Sequence, residues 1–494
     1  MNNQPKNKKT NPSLLRNAQK KVGKGNACPL YKKCGGCQLQ NMTYEEQLSF
    51  KQAKCIKLLG RFCRVQEIIG MENPTHYRNK VQAVFGTTRG GKIISGVYQS
   101  SSHKIVMVDE CMLEDKKADK IITDIRKMLP RFKLSAYNED TGRGFLRHVL
   151  VKRGFSTGEI MVVLVTGTNI FPSKKEFVAE LLRQHKEITT VIWNINSSKT
   201  SLVLGKRESV LFGDGYIEDV LCSKRFRISS RSFYQINPVQ TEKLYSTAIE
   251  FAGLTGRETV LDAYCGIGTI GLVAADKAKS VIGVELNSDA VKDAIANAKI
   301  NKADNIRFFC ADAGEFMVGM AEENEKVDVV FMDPPRAGSD IPFLKSVATL
   351  APEKVVYISC NVETQARDIA FLIKNGYKVK KIQPVDMFPH TSHVETVVLL
   401  SQRRPDTHID IKLDLSEVDI TAAETKATYQ EIKNYVLDKH GLKVSTLYIS
   451  QVKSKCGIIE RECYNKGEGK SRVPQCPKEK ENAIMDALRH FRMI

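Results

Sequence analysis

Residues 260–271 read VLDAYCGIGTIG, and the reading of this stretch decides the fold. Val260, Leu261 and Ala263 make a short apolar run that breaks into a turn with glycines at 266, 268 and 271. Such spacing lets a strand turn tightly into a helix beside a nucleotide, but it also occurs as ordinary turn chemistry. The surroundings separate the two. From about 230 to 402, apolar runs of strand length recur at KSVIGVEL (279–286), IRFFCAD (306–312), VDVVFMDPP (327–335) and KVVYISC (354–360). Helical segments lie between them. This alternation predicts an α/β fold, a Rossmann-like, doubly wound sheet of parallel strands.

The strand ends carry acid. Asp262, Glu285, Asp312 and Asp333 close four successive strands. A carboxylate at 285 can hold both hydroxyls of a ribose, and 312 falls where an adenine ring would lie. Asp333 opens the stretch DPPR, which a dinucleotide dehydrogenase has no reason to carry there. An acid facing the glycine turn suits a positively charged cofactor such as S-adenosylmethionine, and it can orient a substrate near the transferred methyl.

Cys360 ends the strand after DPPR, on the carboxyl edge of the expected sheet. Cys222, Cys265 and Cys310 sit in apolar strands or turns and read as core residues. A thiol at that edge suits methyl transfer to C5 of a pyrimidine, a carbon too weakly nucleophilic to react unaided. Thiolate addition at C6 turns C5 into an enolate-like carbon. A base must then remove the C5 proton before the cysteine is released. Glu395, which opens the last apolar strand beside His390, His393 and Thr396, is the candidate base.

The stretches SFYQINPVQTEKLY (232–245), VLDAYCGIG, MDPPRAG (332–338), YISCN (357–361) and MFPHTSHVE (387–395) resemble motifs of the RNA uracil-5-methyltransferase family over roughly residues 28–402. The resemblance implies that Cys360 is the nucleophile and Glu395 the base. It also implies that Gln235, Tyr264, Glu285, Asp312 and Asp333 bind S-adenosylmethionine. The chain departs from the usual pattern at Val362, where proline is common, and at Thr269, where asparagine is frequent. Two other classes compete: a non-catalytic RNA-binding iron–sulfur protein, which has no need of both Cys360 and Glu395, and a DNA methyltransferase. Amino-methylating enzymes place an aromatic residue after Asp-Pro-Pro, where this chain has Arg336.

CPLYKKCGGC (28–37) supplies Cys28, Cys34 and Cys37, and Cys111 lies downstream in VDEC, with Cys55 and Cys63 as competitors for the fourth place. Spacing alone leaves zinc and an iron–sulfur cluster open. The ribosomal-RNA branch of the family carries a [4Fe–4S] cluster with this pattern, and that likeness favours iron over zinc and 23S ribosomal RNA over tRNA.

The net charge of +19 draws polyanions. The first acidic residue is Glu45, so residues 1–27 read as a basic, disordered tail. Residues 28–115 form the cysteine-bearing, β-rich segment, 116–229 a central α/β RNA-binding domain, 230–402 the methyltransferase domain and 405–494 a helical extension resembling a helix-turn-helix. A capping box is expected at Thr428 and Glu431. Tyr77 to Lys80, Arg143, Arg147, Lys152 and Arg153 are expected to meet RNA phosphates. The target base must leave its stack, so the expected substrate is a loop or distorted region of RNA. No apolar run is long enough to span a membrane and no secretory signal is evident; a cytoplasmic monomer is expected.

Overall fold

The computed structural model describes residues 28–99, 102, 104–200, 202–323, 325–403, 429–456, 476–491 and 493. The expected tail and Thr428 of the expected capping box lie outside them. The chain divides into two units, Met1–Pro405 and Asp406–Ile494. Among the described residues no helix is long and apolar enough to cross a membrane.

The first unit opens with α1 (Tyr31–Cys34) and α2 (Tyr44–Leu59). In α2, Thr43 and Glu46 cap each other's backbone. A seven-stranded sheet follows, from β1 (Lys80–Thr87), β2 (Ile93–Tyr98) and β3 (Ile105–Met107), then α3 (Lys116–Arg131), β4 (Leu146–Arg153), β5 (Ile160–Thr166), α4 (Lys174–Gln184), β6 (Ile188–Ile195) and β7 (Arg207–Phe212). Its order is β3-β2-β1-β4-β5-β6-β7. Because β1 pairs with β4, with Lys80 opposite Lys152, one sheet takes strands from both sides of residue 115. Helix α3 starts at Asp115, whose carboxylate accepts from Lys117 and Ala118, and it buries Ile121, Ile122, Ile125 and Met128. The hairpin β8 (Tyr216–Leu221) and β9 (Lys224–Ser229) leads onward.

The second sheet belongs to the region of the glycine turn. Its elements are α5 (Pro238–Ala252), β10 (Thr259–Ala263), α6 (Thr269–Ala275), β11 (Ser280–Glu285), α7 (Ser288–Ile300), β12 (Ile306–Cys310), α8 (Ala313–Glu322), β13 (Val329–Met332), α9 (Ile341–Leu350), β14 (Lys354–Ser359), α10 (Val362–Lys374), β15 (Tyr377–Val385) and β16 (Glu395–Gln402). The order is β12-β11-β10-β13-β14-β16-β15. Alternate strand residues feed two cores. Val260, Phe331, Val356 and Val397 pack with Leu244 and Ile270 on one face. Leu261, Val330, Val355 and Val398 pack with Phe343, Ile369 and Leu59 on the other. Burial on both faces is what makes these strands read as nearly continuous apolar runs. The expected parallel order holds for β10 to β14, but β16 inserts antiparallel between β14 and β15, so the sheet is mixed. The short connection from β15 to β16 permits nothing else, since parallel neighbours need a long crossover. The chain reverses direction across the sheet between β10 and β13, which opens a cleft at their carboxyl ends.

The second unit holds α11 (Tyr429–His440), α12 (Thr446–Lys455) and α13 (Lys478–His490). Ile432, Val436, Ile449, Val452, Ile484, Ala487 and Leu488 form its core, the faces that helical spacing predicts. Gly441, at φ 66°, ends α11.

Candidate active site

Strands β14 and β16 pair with Ser359 opposite Thr396. Cys360 directly follows Ser359 and Glu395 directly precedes Thr396, so the end of this pairing brings the two next to each other. Asp333 follows β13, the strand on the other side of β14. Three residues far apart in sequence thus meet at one point of the sheet's edge.

Burial first, and then the charges of Glu395 and Asp333, push the Cys360 thiol up to about 11, with Arg336 opposing them. Burial, and then the charge of Asp333, holds Glu395 well above the usual carboxylate range. Burial also pushes Asp333 up to about 7. Glu395 is 4% exposed, and its Oε2 is buried without a hydrogen-bond partner. A buried carboxyl oxygen left open in this way is a group waiting for a proton or a donor. Among the described residues, Arg336 is the cation that acts on both Cys360 and Glu395. Its backbone carbonyl is pinned by Asn361 Nδ2 (3.0 Å) and Thr364 Oγ1 (3.2 Å), so the DPPR turn and the Cys360 turn hold each other. Arg336 was legible in the sequence only as the residue that replaces an aromatic one.

The glycine turn lies beside this cluster. The N–H of Gly271 donates to buried Asp262 (2.8 Å), and that of Gly266 to Glu285 (3.1 Å). Gly266, at φ 57°, has open space where a Cβ would stand, whereas a Cβ on Gly268 would meet the Phe308 ring. The Thr269 hydroxyl lies 3.1 Å from that of Tyr245. Asp312 caps α8, accepting from the Glu315 N–H (3.1 Å). Beside it, Leu286 (71% exposed) and Phe309 (40%) offer apolar surface. Tyr264 takes the left-handed conformation, φ 70°, with its ring 5.3 Å from that of Phe343. An open floor of backbone, a carboxylate at the rim and an apolar shelf fit a nucleoside bearing a charged tail. Gln235 is buried, its carbonyl held by Asn79 Nδ2 (3.2 Å), and Asn237 two residues later donates to the Met387 carbonyl (3.0 Å). This ties the Gln235 segment to the loop before Glu395. Phe233 on the same segment is 61% exposed, an aromatic face that sequence reading missed.

Of the three cysteines expected in the core, Cys265 is buried, but Cys222 is half-buried at a hairpin tip and Cys310 is exposed. The reason is that Cys310 ends β12, an edge strand of the sheet. Several expected phosphate contacts are internal. Arg147 forks onto Glu139 (2.7 and 2.9 Å) and donates to the carbonyls of Asn196, Ser198 and Thr200. Lys152 donates to the carbonyls of Ser229 and Ser232, and burial lowers it to about 7. Arg153 pairs with Asp115 (2.6 Å). Arg143 alone of this group is exposed.

Cys37 and Cys111 share an apolar patch with Met71, Tyr77 and Leu113. Burial pushes the Cys37 thiol up to about 11, with the charges of Cys34 and Cys28 adding to it. Burial likewise pushes Cys111 to about 12. The donor type suits a soft metal centre, yet among the described residues no three cysteine, histidine or carboxylate side chains converge as ligands.

The sequence pattern of the tRNA (uracil-5-)-methyltransferase family matches residues 43–403. An uncharacterized RNA methyltransferase of Clostridium acetobutylicum is 46% identical over 382 residues, 76% of this chain and 83% of that one. One from Halalkalibacterium halodurans is 43% identical over 378 residues, 76% and 82%. Among solved structures, the Pyrococcus abyssi tRNA (uracil-54, C5)-methyltransferase in complex with S-adenosyl-L-homocysteine aligns with a TM-score of 0.62 at 31% identity. It covers 74% of this chain and 85% of its own.

Proposed function

The chain belongs to the tRNA (uracil-5-)-methyltransferase family, and from that premise we propose that it methylates C5 of uridine in RNA with Cys360 as nucleophile and Glu395 as general base. The observation that carries this reading is the pairing of β14 with β16, which ends at Ser359–Thr396 and so brings Cys360 beside Glu395, a buried carboxyl whose Oε2 has no hydrogen-bond partner.

Cys360 Sγ attacks C6 of the uracil, forming the S–C6 bond and moving the ring π electrons toward C5 and O4. Cys360 reacts as the thiolate, its proton having passed to solvent, and Arg336 supports the sulfur anion, since it is the cation beside the thiol. S-adenosylmethionine supplies the methyl group on a cationic sulfonium. Gln235, Tyr264, Glu285, Asp312 and Asp333 would hold it, beside the open space at Gly266. Glu395 then takes the C5 proton; the electron pair re-forms C5=C6 and breaks the C6–S bond. A raised carboxyl is a stronger base than an ordinary glutamate, which suits removal of a carbon-bound proton. Phe233 presents a ring on which a displaced base can stack.

The substrate proposed is 23S ribosomal RNA, in a loop or distorted region. The four cysteines in the pattern of the ribosomal branch support it, and Cys28, Cys34, Cys37 and Cys111 are proposed to hold a [4Fe–4S] cluster. A tRNA substrate is the second reading, favoured by the archaeal structure's named substrate. A cytoplasmic monomer, with residues 1–27 and Arg143 contacting phosphate, completes the proposal.

Nucleoside mass spectrometry of ribosomal and transfer RNA from a deletion strain tests the substrate: loss of 5-methyluridine from 23S RNA supports the reading, and loss from tRNA alone overturns it. Glu395→Gln tests the chemistry. A protein–RNA band should persist on a denaturing gel, and full turnover without such a band would refute the base. Anaerobic absorption spectra distinguish iron, with a broad visible band, from colourless zinc.

A further inference from the structure

The nine residues Asp386 to Val394 join β15 to β16, and the pair that closes this hairpin loop is Val385–Glu395. Strand pairing therefore holds Glu395 from the sheet side only. The loop is held from elsewhere, by residues 38–51. Lys51 Nζ donates to Asp386 Oδ1 (2.6 Å) and to the Phe388 carbonyl (3.0 Å), and both members of the ion pair are fully buried. The Tyr44 hydroxyl donates to the other Asp386 oxygen (2.9 Å). Gln47 Oε1 accepts the His390 N–H (2.8 Å), and its Nε2 lies 3.3 Å from His390 Nδ1. His390 is at φ 68°, a left-handed conformation that an ordinary side chain keeps only when its surroundings hold it there. Leu39 N–H donates to the His390 carbonyl (3.1 Å), and Gln38 Oε1 accepts the Ser392 N–H (3.2 Å). Seven hydrogen bonds thus bind one short loop to one short N-terminal stretch, which begins one residue after Cys37.

We propose that Gln38, Gln47 and Lys51 are positioning residues for Glu395, forming a clamp through which the cysteine-bearing segment governs proton removal from C5. The proposal rests on the reading of Glu395 as the base. The hydrogen bonds of Gln38, Gln47 and Lys51 run to this loop and to their own segment. The link from α2 to α10, Lys54–Glu363 (3.1 Å), is not part of the clamp, so the effect of the clamp falls on the last chemical step. Cys360 still adds to C6, and the methyl group still reaches C5. The proton then leaves C5 slowly, because the carboxylate that accepts it is misplaced, and the C6–S bond stays closed meanwhile. Displacing a catalytic group by about 1 Å costs up to roughly a hundredfold in rate.

The test uses the full chain and a uridine-containing transcript tritiated at C5, in single turnover. Tritium release reports proton removal, and a denaturing gel reports the covalent adduct. Gln47→Leu should slow tritium release about tenfold or more and enrich the adduct. KM for RNA, binding of the methyl donor and the rate of adduct formation should stay at wild-type values. Gln38→Ala, at an exposed position that leaves the core intact, should show the same pattern several-fold weaker, which keeps the test valid if the buried variant does not fold. Wild-type tritium release in both folded variants would overturn the clamp. So would a uniform fall in adduct formation, donor binding and release, the mark of a merely structural role. Glu395→Gln runs in parallel. If it gathers adduct and the clamp variants do not, the clamp alone is wrong; if it gathers none, the base assignment falls and the clamp with it.

Discussion

Replacing Arg336 with glutamine tests the electrostatics of the thiol. With its pKa at about 11, Cys360 is about one part in a thousand thiolate at pH 8. Burial, with the carboxyls of Glu395 and Asp333 behind it, holds it there, and Arg336 is the charge that opposes them. A cation within reach of a thiolate stabilises it by a factor of ten to a thousand, and the low end applies because Arg336 is exposed and water screens it. Arg336→Gln should therefore slow alkylation of Cys360 by iodoacetamide about tenfold at any pH below 10. The tenfold rise in rate per pH unit should remain. Arg336→Lys keeps the charge and should fall in between. Peptide-level mass spectrometry separates Cys360 from the other cysteines, and the difference should shrink at high salt as screening grows. Equal rates in the two proteins at low salt would refute the assignment, since an arginine that acts on the sulfur cannot be removed without cost to the thiolate.

Two further outcomes follow from the geometry. Burial raises Asp262 from its ordinary 3.8 to about 8, so the folded state prefers the neutral carboxyl, and stability is lost as pH climbs between those values. Asp262→Asn keeps an oxygen for the Gly271 N–H; its melting temperature should gain on wild type steadily from pH 4 to 8, and a constant difference would count against the buried-acid argument. Phe233→Ala should raise KM for RNA about tenfold, within the roughly 1–3 kcal/mol of one stacked base, leaving donor affinity in equilibrium dialysis unchanged; an unaltered KM would remove Phe233 from the substrate path.

Much of the sheet was legible because both its faces are buried, so its strands announce themselves as apolar runs. The return of β16 was not. Nothing in VETVVLL says that the strand runs antiparallel beside β14, and that pairing is what brings Glu395 near Cys360. The acids at the strand ends looked alike in sequence, yet Asp262, Glu285 and Asp312 are engaged by backbone N–H groups, while Glu395, which opens its strand, keeps an open oxygen. Arg147 and Lys152 read as surface charges on a strand. They are internal because the carbonyls that satisfy them come from loops at 196–200 and 229–232, far along the chain. The clamp on the loop at 386–394 spans more than three hundred residues of sequence, a separation that no local pattern reports.

The covalent bond itself can be weighed. An RNA carrying 5-fluorouridine cannot lose its C5 substituent as a proton, so the adduct is trapped after methyl transfer. Digestion and mass spectrometry should then find methylated 5-fluorouridine on the peptide 354–368 at Cys360, and nowhere in Cys360→Ser. Rapid methylation of ordinary uridine by a protein whose Cys360 stays unmodified under these conditions would contradict the account.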